Sequence, residues 1–268
     1  MEKIMRIELL VIDPQIDFCK PGGALYVTNA ENDMSRLSTM IKRLGAKINQ
    51  IHVTLDSHHL IDIAHPKWWK NSKGEEPKPF TIITAQEVKS GVWTTRQPGA
   101  LKRTTEYLED LERGGRYPLC IWPPHCLIGS QGHAVFPELF DALVEWEQNY
   151  KLVDYVTKGS NIYTEHYSAI CAEVPDPNDP TTQMNVELIK SLESADKLVV
   201  AGEAGSHCVA NTLRDIRAAY GSDDKMKRVV ILEDAMSPVS GFEQLQKEFF
   251  DEMKQAGVEF STTTEFLK

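Results

Sequence analysis

The sequence predicts an α/β fold: a mostly parallel central sheet with helices on both faces, in a three-layer α/β/α arrangement. Three observations predict it. Short apolar runs recur along the 268 residues, segments with helical apolar spacing separate them, and polar or glycine-rich clusters follow them. Continuous apolar runs are the pattern of strands buried on both faces. Their alternation with helices implies right-handed crossovers between parallel neighbours.

Ile7–Ile12 is the first such run. Met34, Leu37, Ile41 and Leu44 then share one helical face, and Gly45 closes that helix. A second strand is expected over 48–55. The chain from 56 to 118 is different: rich in Pro, Gly, Trp, Lys and Glu, with one helix expected near 104–111. We read about 66–118 as a long functional loop or insertion, a candidate lid or oligomer contact. Alternation resumes with a helix at 139–146, a strand at 152–157, a helix at 186–192 and a strand at 198–202. A helix from about Cys208 to Ala219, a strand at 229–232, a helix at 242–255 and a last strand at 258–261 complete it. With no repeat and no linker, residues 1–268 read as one domain.

Composition and charge exclude several classes. The 41% hydrophobic content of a chain this long supports a core without disulfide staples. No run approaches the roughly 18 apolar residues of a membrane span, and the first residues lack a secretory cleavage pattern. A soluble, cytoplasmic protein is expected. Lys and Arg number 29 against 39 Asp and Glu, a net charge of −10, so nothing supplies the basic face that nucleic acid requires. Five cysteines at irregular spacings, with no Cys-x-x-Cys, suggest neither a disulfide framework nor a cysteine zinc site.

In a parallel sheet, chemistry gathers at the carboxyl ends of the strands. There stand Asp13 to Phe18, then Asp56, His58 and His59 with His65 nearby, then Trp122 to Cys126, Lys158-Gly159, and Gly202 to Cys208. Each alone has an ordinary reading, as a turn cap, a solvated side chain or a buried small cysteine. Together they suggest nucleophilic chemistry. Cys208 opens a predicted helix, whose N–H groups and dipole favour a thiolate and would lower its pKa. Asp13 would accept its proton, and Lys158 would hold and orient both anions. The N–H groups of Ala204 and Cys208 would bind an oxyanion. The pattern is that of an Asp–Lys–Cys amide hydrolase.

These segments carry a family resemblance. Asp13-Pro14-Gln15-Ile16-Asp17-Phe18, continuing to Ala24-Leu25, resembles the opening motif of the isochorismatase-like cysteine hydrolases, with one extra residue before Ala24. Trp122-Pro123-Pro124-His125-Cys126, with Gly129 and Gly132, resembles the signature of their nicotinamidase branch. Thr157-Lys158-Gly159 resembles the lysine motif, and Gly202 to Val209 the nucleophile segment. The four motifs span residues 7 to about 220 in order.

The resemblance implies the isochorismatase-like hydrolase fold, a triad of Asp13, Lys158 and Cys208, and a non-proline cis peptide at Glu203–Ala204. Glu203 stands where the family usually has an apolar residue, and its carboxylate would either meet a polar substrate group or face away. Asp56 and His58, two apart on an extended segment, can point the same way. With His125 they form a set suited to one divalent transition metal per chain, zinc first, with iron or manganese as alternatives. His65 would be a further ligand as in some relatives, or a solvated side chain. Phe18 and Trp122 match positions that flank the substrate ring, and Tyr163 or Tyr167 would help close the pocket, core packing being the alternative, stronger for Tyr167 than for Trp122. The implied reaction is hydrolysis of nicotinamide to nicotinate and ammonia through a thioester on Cys208, a step in NAD salvage. The alternative is a related amidase acting on another carboxamide. A small-molecule carboxamide is thus the expected partner; a homo-oligomer is left open.

Overall fold

A computed structural model of the chain describes residues 5–114 and 116–268. Its centre is a six-stranded sheet of β1 (Ile7–Ile12), β2 (Gln50–Asp56), β3 (Asp154–Lys158), β4 (Lys197–Gly202), β5 (Val229–Leu232) and β6 (Glu259–Ser261). The order is β6-β5-β4-β1-β2-β3, and every pairing is parallel. β1 lies at the middle and is buried along its whole length, which explains its unbroken apolar run.

The helices are α1 (Ala30–Leu44), α2 (Leu101–Gly114), α3 (Pro137–Glu147), α4 (Val186–Glu193), α5 (Cys208–Tyr220) and α6 (Glu243–Gln255). α1 buries Met34, Leu37, Ile41 and Leu44 on one stripe and packs against α3. From β1 the chain moves to β2 on one side, whereas from β4 it moves to β5 on the other. Right-handed crossovers in opposite directions put α1 and α5 on opposite faces. They also open a crevice between the carboxyl ends of β1 and β4, where ligands bind in such sheets. Asp13 and the segment leading to Cys208 flank that crevice.

Two expectations need revision. β3 begins at Asp154, not 152, and Leu152 is 79% exposed; β3 is an edge strand on which Asp154, Tyr155 and Thr157 are exposed. The 66–118 segment is not a bare loop. Trp69–Lys70 pairs antiparallel with Thr94–Thr95, and Ile82–Ile83 with Leu119–Cys120. A short helix, Ala85–Lys89, opens with a reciprocal capping box between Thr84 and Glu87. Trp68 and Trp69 are buried, and they join the same apolar cluster as the sheet. Strands of two residues carry no readable period, which is why periodicity misses them. Among the described residues, no helix is long and apolar enough to cross a membrane.

Candidate active site

The motif at the end of β1 holds neighbouring strand ends together. Gln15 donates from Nε2 to the Asp56 carbonyl (2.7 Å) and accepts from the Asp56 N–H (2.7 Å), fixing the end of β2. Asp17 Oδ2 accepts from the Cys126 N–H (2.7 Å), and Oδ1 from the Ala24 N–H (3.1 Å). A Cβ at Gly132 would lie 2.1 Å from that same Oδ2, so only glycine lets the two loops meet. Gly159 has φ +85°, and a Cβ there would press on Asp56 at 2.8 Å. The spacing of the motifs is thus the spacing of mutual supports.

Asp13, at φ 43° just beyond β1, is fully buried. Thr54 on β2 donates to Asp13 Oδ1 (2.5 Å) and accepts from its N–H (2.9 Å). Lys158 ends β3 with its ammonium 2.9 Å from Asp13 Oδ2, 3.1 Å from Asp56 Oδ1 and 2.9 Å from the His166 carbonyl. Its charge is therefore fully partnered inside the protein: burial would lower its pKa, but Asp13 and Asp56 hold it well above the ordinary lysine value. Cys208, the first residue of α5, lies with Sγ 3.7 Å from Lys158 Nζ and within hydrogen-bonding reach of Asp13. The structure brings the three residues together.

Electrostatics correct one expectation. Burial pushes the Cys208 thiol well up, Lys158 pulls it down, and Asp13 pushes it up again. Burial thus opposes the thiolate that the helix terminus favours. Asp13 is also raised, chiefly by burial, which makes it a better proton acceptor than an ordinary aspartate. The Glu203–Ala204 peptide is cis. Among the described residues, the N–H groups of Ala204 and Cys208 find no acceptor.

Beside this trio stands another. One donor atom each from Asp56, His58 and His125 lies within 4.8 Å of the others, and all three residues are buried. His58 Nδ1 bonds to Asp62 Oδ2 (3.0 Å) and His125 Nδ1 to the Pro123 carbonyl (2.8 Å). Those partners fix the tautomers that leave both Nε2 atoms as lone-pair donors. Both Nε2 atoms face the same oxygen, Asp56 Oδ2, His58 at 3.1 Å and His125 at 3.4 Å. These residues fit a divalent transition metal. His65 is not solvated: it is fully buried, its ring 5.1 Å from that of His58 and 5.5 Å from that of His125, with an unpartnered Nε2. It stands outside the close trio.

A cavity of about 380 Å³, counting the part open to solvent, reaches both trios. Phe18, Trp122, Asp56, His125, Ala204 and Cys208 line it, as does Tyr167, whose hydroxyl accepts from Trp122 Nε1 (3.0 Å). Tyr163 does not. It packs edge-on against Trp68 beneath the Arg103 guanidinium, on the wall of another cavity. The assignment of Tyr163 to the pocket is therefore corrected: of the two tyrosines offered for it, Tyr167 lines the cavity and Tyr163 packs elsewhere.

Leu25, Glu165, His207 and Val239 also line the cavity and were missed by sequence reasoning. His207 sits among Tyr117, Trp122, Tyr167 and Phe242, its ring centroid 4.9–5.5 Å from theirs, and burial lowers its pKa to about 4. It behaves as a neutral aromatic wall. Glu165 is raised to about 7 by burial, and its Oε2 is unpartnered. The one available signal was position, since His207 precedes the nucleophile and Glu165 follows the lysine strand.

No protein-family model matches the chain. It is 25% identical to the nicotinamidase of Saccharomyces cerevisiae over 248 residues, covering 92% of this chain and 94% of that protein. The yeast nicotinamidase Pnc1p bound to the inhibitor nicotinaldehyde superposes with a TM-score of 0.66 at 23% identity, covering 96% of this chain and 99% of that one. The pyrazinamidase of Pyrococcus horikoshii in complex with zinc gives 0.54 at 20% identity, over 96% of this chain and 99% of that one. The fold is shared with these structures.

Proposed function

We propose that this chain, an amidohydrolase of the isochorismatase-like superfamily, hydrolyses nicotinamide to nicotinate and ammonia. The observation that carries the reading is one cavity lined by Cys208 of an Asp13–Lys158–Cys208 cluster and by Asp56 and His125 of a metal-ligating trio. The yeast and archaeal likenesses support the same substrate class.

Cys208 attacks the carboxamide carbon while its thiol proton passes to Asp13, so sulfur need not rest as a thiolate. The carbonyl oxygen becomes an oxyanion held by the Ala204 and Cys208 N–H groups. Collapse breaks the C–N bond, Asp13 returns the proton to the leaving nitrogen, and a thioester and ammonia result. Water then attacks the thioester, giving its proton to Asp13, and nicotinate leaves as Cys208 regains its thiol. Lys158 keeps Asp13 oriented and compensates its charge. Phe18, Trp122 and Tyr167 wall the substrate ring.

A divalent metal, zinc first, held by Asp56, His58 and His125, would supply a Lewis-acid contact to the ring nitrogen. The reaction would serve salvage of pyridine nucleotides in the cytoplasm. The deciding experiment is ammonia release from nicotinamide, measured beside a panel of other amides. A preference for a different carboxamide would replace nicotinamide and leave the hydrolase standing.

A further inference from the structure

Glu203 directly follows β4, one residue before Ala204, whose N–H we assign to the oxyanion. It is fully buried and does not line the cavity, so of its two expected fates it faces away from substrate. Its Oε2 accepts from the Ser237 N–H (3.1 Å). Its Oε1 has no other partner, and its carboxyl lies within hydrogen-bonding reach of Asp33 on α1. Asp33 Oδ2 accepts from Ser237 Oγ (2.6 Å), and Oδ1 from Asn29 (3.2 Å) and the Arg36 guanidinium.

Two carboxyls this close and away from water resist joint ionisation, and a proton held on one lets it donate to the other. Burial, then Asp33, pushes Glu203 well up, burial raises Asp33 as well, and Arg36 pairs with Asp33. The pair joins three segments: the end of β4, α1 and the loop 235–239. The same loop accepts from the Gly202 N–H at Ala235 (2.9 Å) and from the Gly205 N–H at Ser237 (2.9 Å). It also donates from Val239 N–H to Ser206 Oγ (3.0 Å), and Val239 lines the cavity.

We propose that Glu203 is a positioning residue: its hydrogen-bonded carboxyl ties the end of β4 to α1 and to the 235–239 loop, fixing the Ala204 N–H where the oxyanion forms. The role rests on the hydrolytic reading above. An apolar side chain would fill the volume but strand the Ser237 N–H and remove the carboxyl that faces Asp33. Glutamine, by contrast, reproduces the acid: its amide donates to Asp33 and its carbonyl accepts from Ser237.

The test compares Glu203→Gln with Glu203→Met by nicotinamide kinetics and by hydrogen exchange of the 202–208 peptide. Glu203→Gln should stay within about twofold of the parent in kcat and KM, and Glu203→Met should lose about tenfold or more in kcat with KM little changed. Exchange at 202–208 should quicken in the Met variant alone. A Met variant equal to the parent in kcat and exchange overturns the proposal, as does a Gln variant as impaired as Met. If the Met protein does not fold, the Gln variant decides by the same limits. If the parent releases no ammonia from nicotinamide, the proposed function fails, and the exchange contrast alone decides the positioning role.

Discussion

Lys158 is ion-paired to Asp56 at 3.1 Å, and the two are direct register partners on β3 and β2. The same ammonium reaches Asp13 at 2.9 Å, so one cation stabilises the carboxylate of each trio. The pairing of two strands thereby sets the distance between the Asp13–Lys158–Cys208 cluster and the Asp56–His58–His125 cluster.

Lys158→Met should accordingly damage more than catalysis. It leaves two buried carboxyls without their shared counter-charge, and breaking such a pair costs about 3 kcal/mol or more. Asp13 would then hold its proton and fail as a base, lowering the rate by about 10²-fold or more. Denaturant unfolding and ammonia release measure the two effects. A Met variant of parental stability and rate would show that the ammonium is dispensable.

Cys208→Ala should fold normally and lose hydrolysis, because no other side chain on the cavity wall can form the thioester. Cys126, also buried, would be the next nucleophile to examine if a folded Ala variant kept more than a trace of activity.

The raised thiol gives a pH dependence with a definite sign. The thiolate fraction of Cys208 grows as pH rises through its pKa, which burial holds above the ordinary thiol value. Alkylation of Cys208 in the parent should therefore still be accelerating above pH 9.0, the reference for a free thiol. At a fixed pH it should slow in Lys158→Met, which removes the ammonium that pulls the thiol down. Mass-spectrometric labelling rates give the profile; a plateau near neutrality would mean that a thiolate rests in the site.

Much of this was legible because strand ends are chemically distinctive. Asp13, Asp56 and Lys158 end or directly follow a strand, Cys208 opens the helix after another, and a parallel sheet brings such ends together. Gln15 and Asp17 read as motif letters, whereas their work, bracing Asp56 and Cys126, appears only when the loops are packed. Tyr163 and Tyr167 illustrate the limit. Both lie in the irregular stretch after β3, where no period tells which ring turns inward, and only packing against Trp68 or Trp122 separates them. The Glu203–Asp33 contact joins residues far apart in the chain, and no local pattern announces it.

For the metal, we expect one ion per chain. Alanine at Asp56, His58 or His125 should reduce loading, as read by elemental analysis. Chelation should weaken substrate binding while Cys208 remains open to alkylation, since its proton acceptor and counter-ion are protein groups. Purified protein with no transition metal, and no gain on adding one, would remove the trio from this role.

Specificity tests the link between the two trios. Asp56 and His125 line the same cavity as Cys208, so a ring whose carboxamide meets the sulfur can present a heteroatom to the ligating side. Nicotinamide and pyrazinamide both carry a ring nitrogen meta to the carboxamide, and both should be substrates. Benzamide keeps the shape and the amide but lacks that nitrogen. A site arranged to satisfy a polar partner rejects an analogue without it, here by about 100-fold or more in kcat/KM. Aliphatic amides should fare worse still, losing both that contact and the aromatic walls of Phe18, Trp122 and Tyr167. The comparison is made across the four amides at one metal loading. Equal kcat/KM for nicotinamide and benzamide would mean that the nitrogen goes unread, and the chain would then be a broader aryl amidase whose metal trio serves structure instead of recognition.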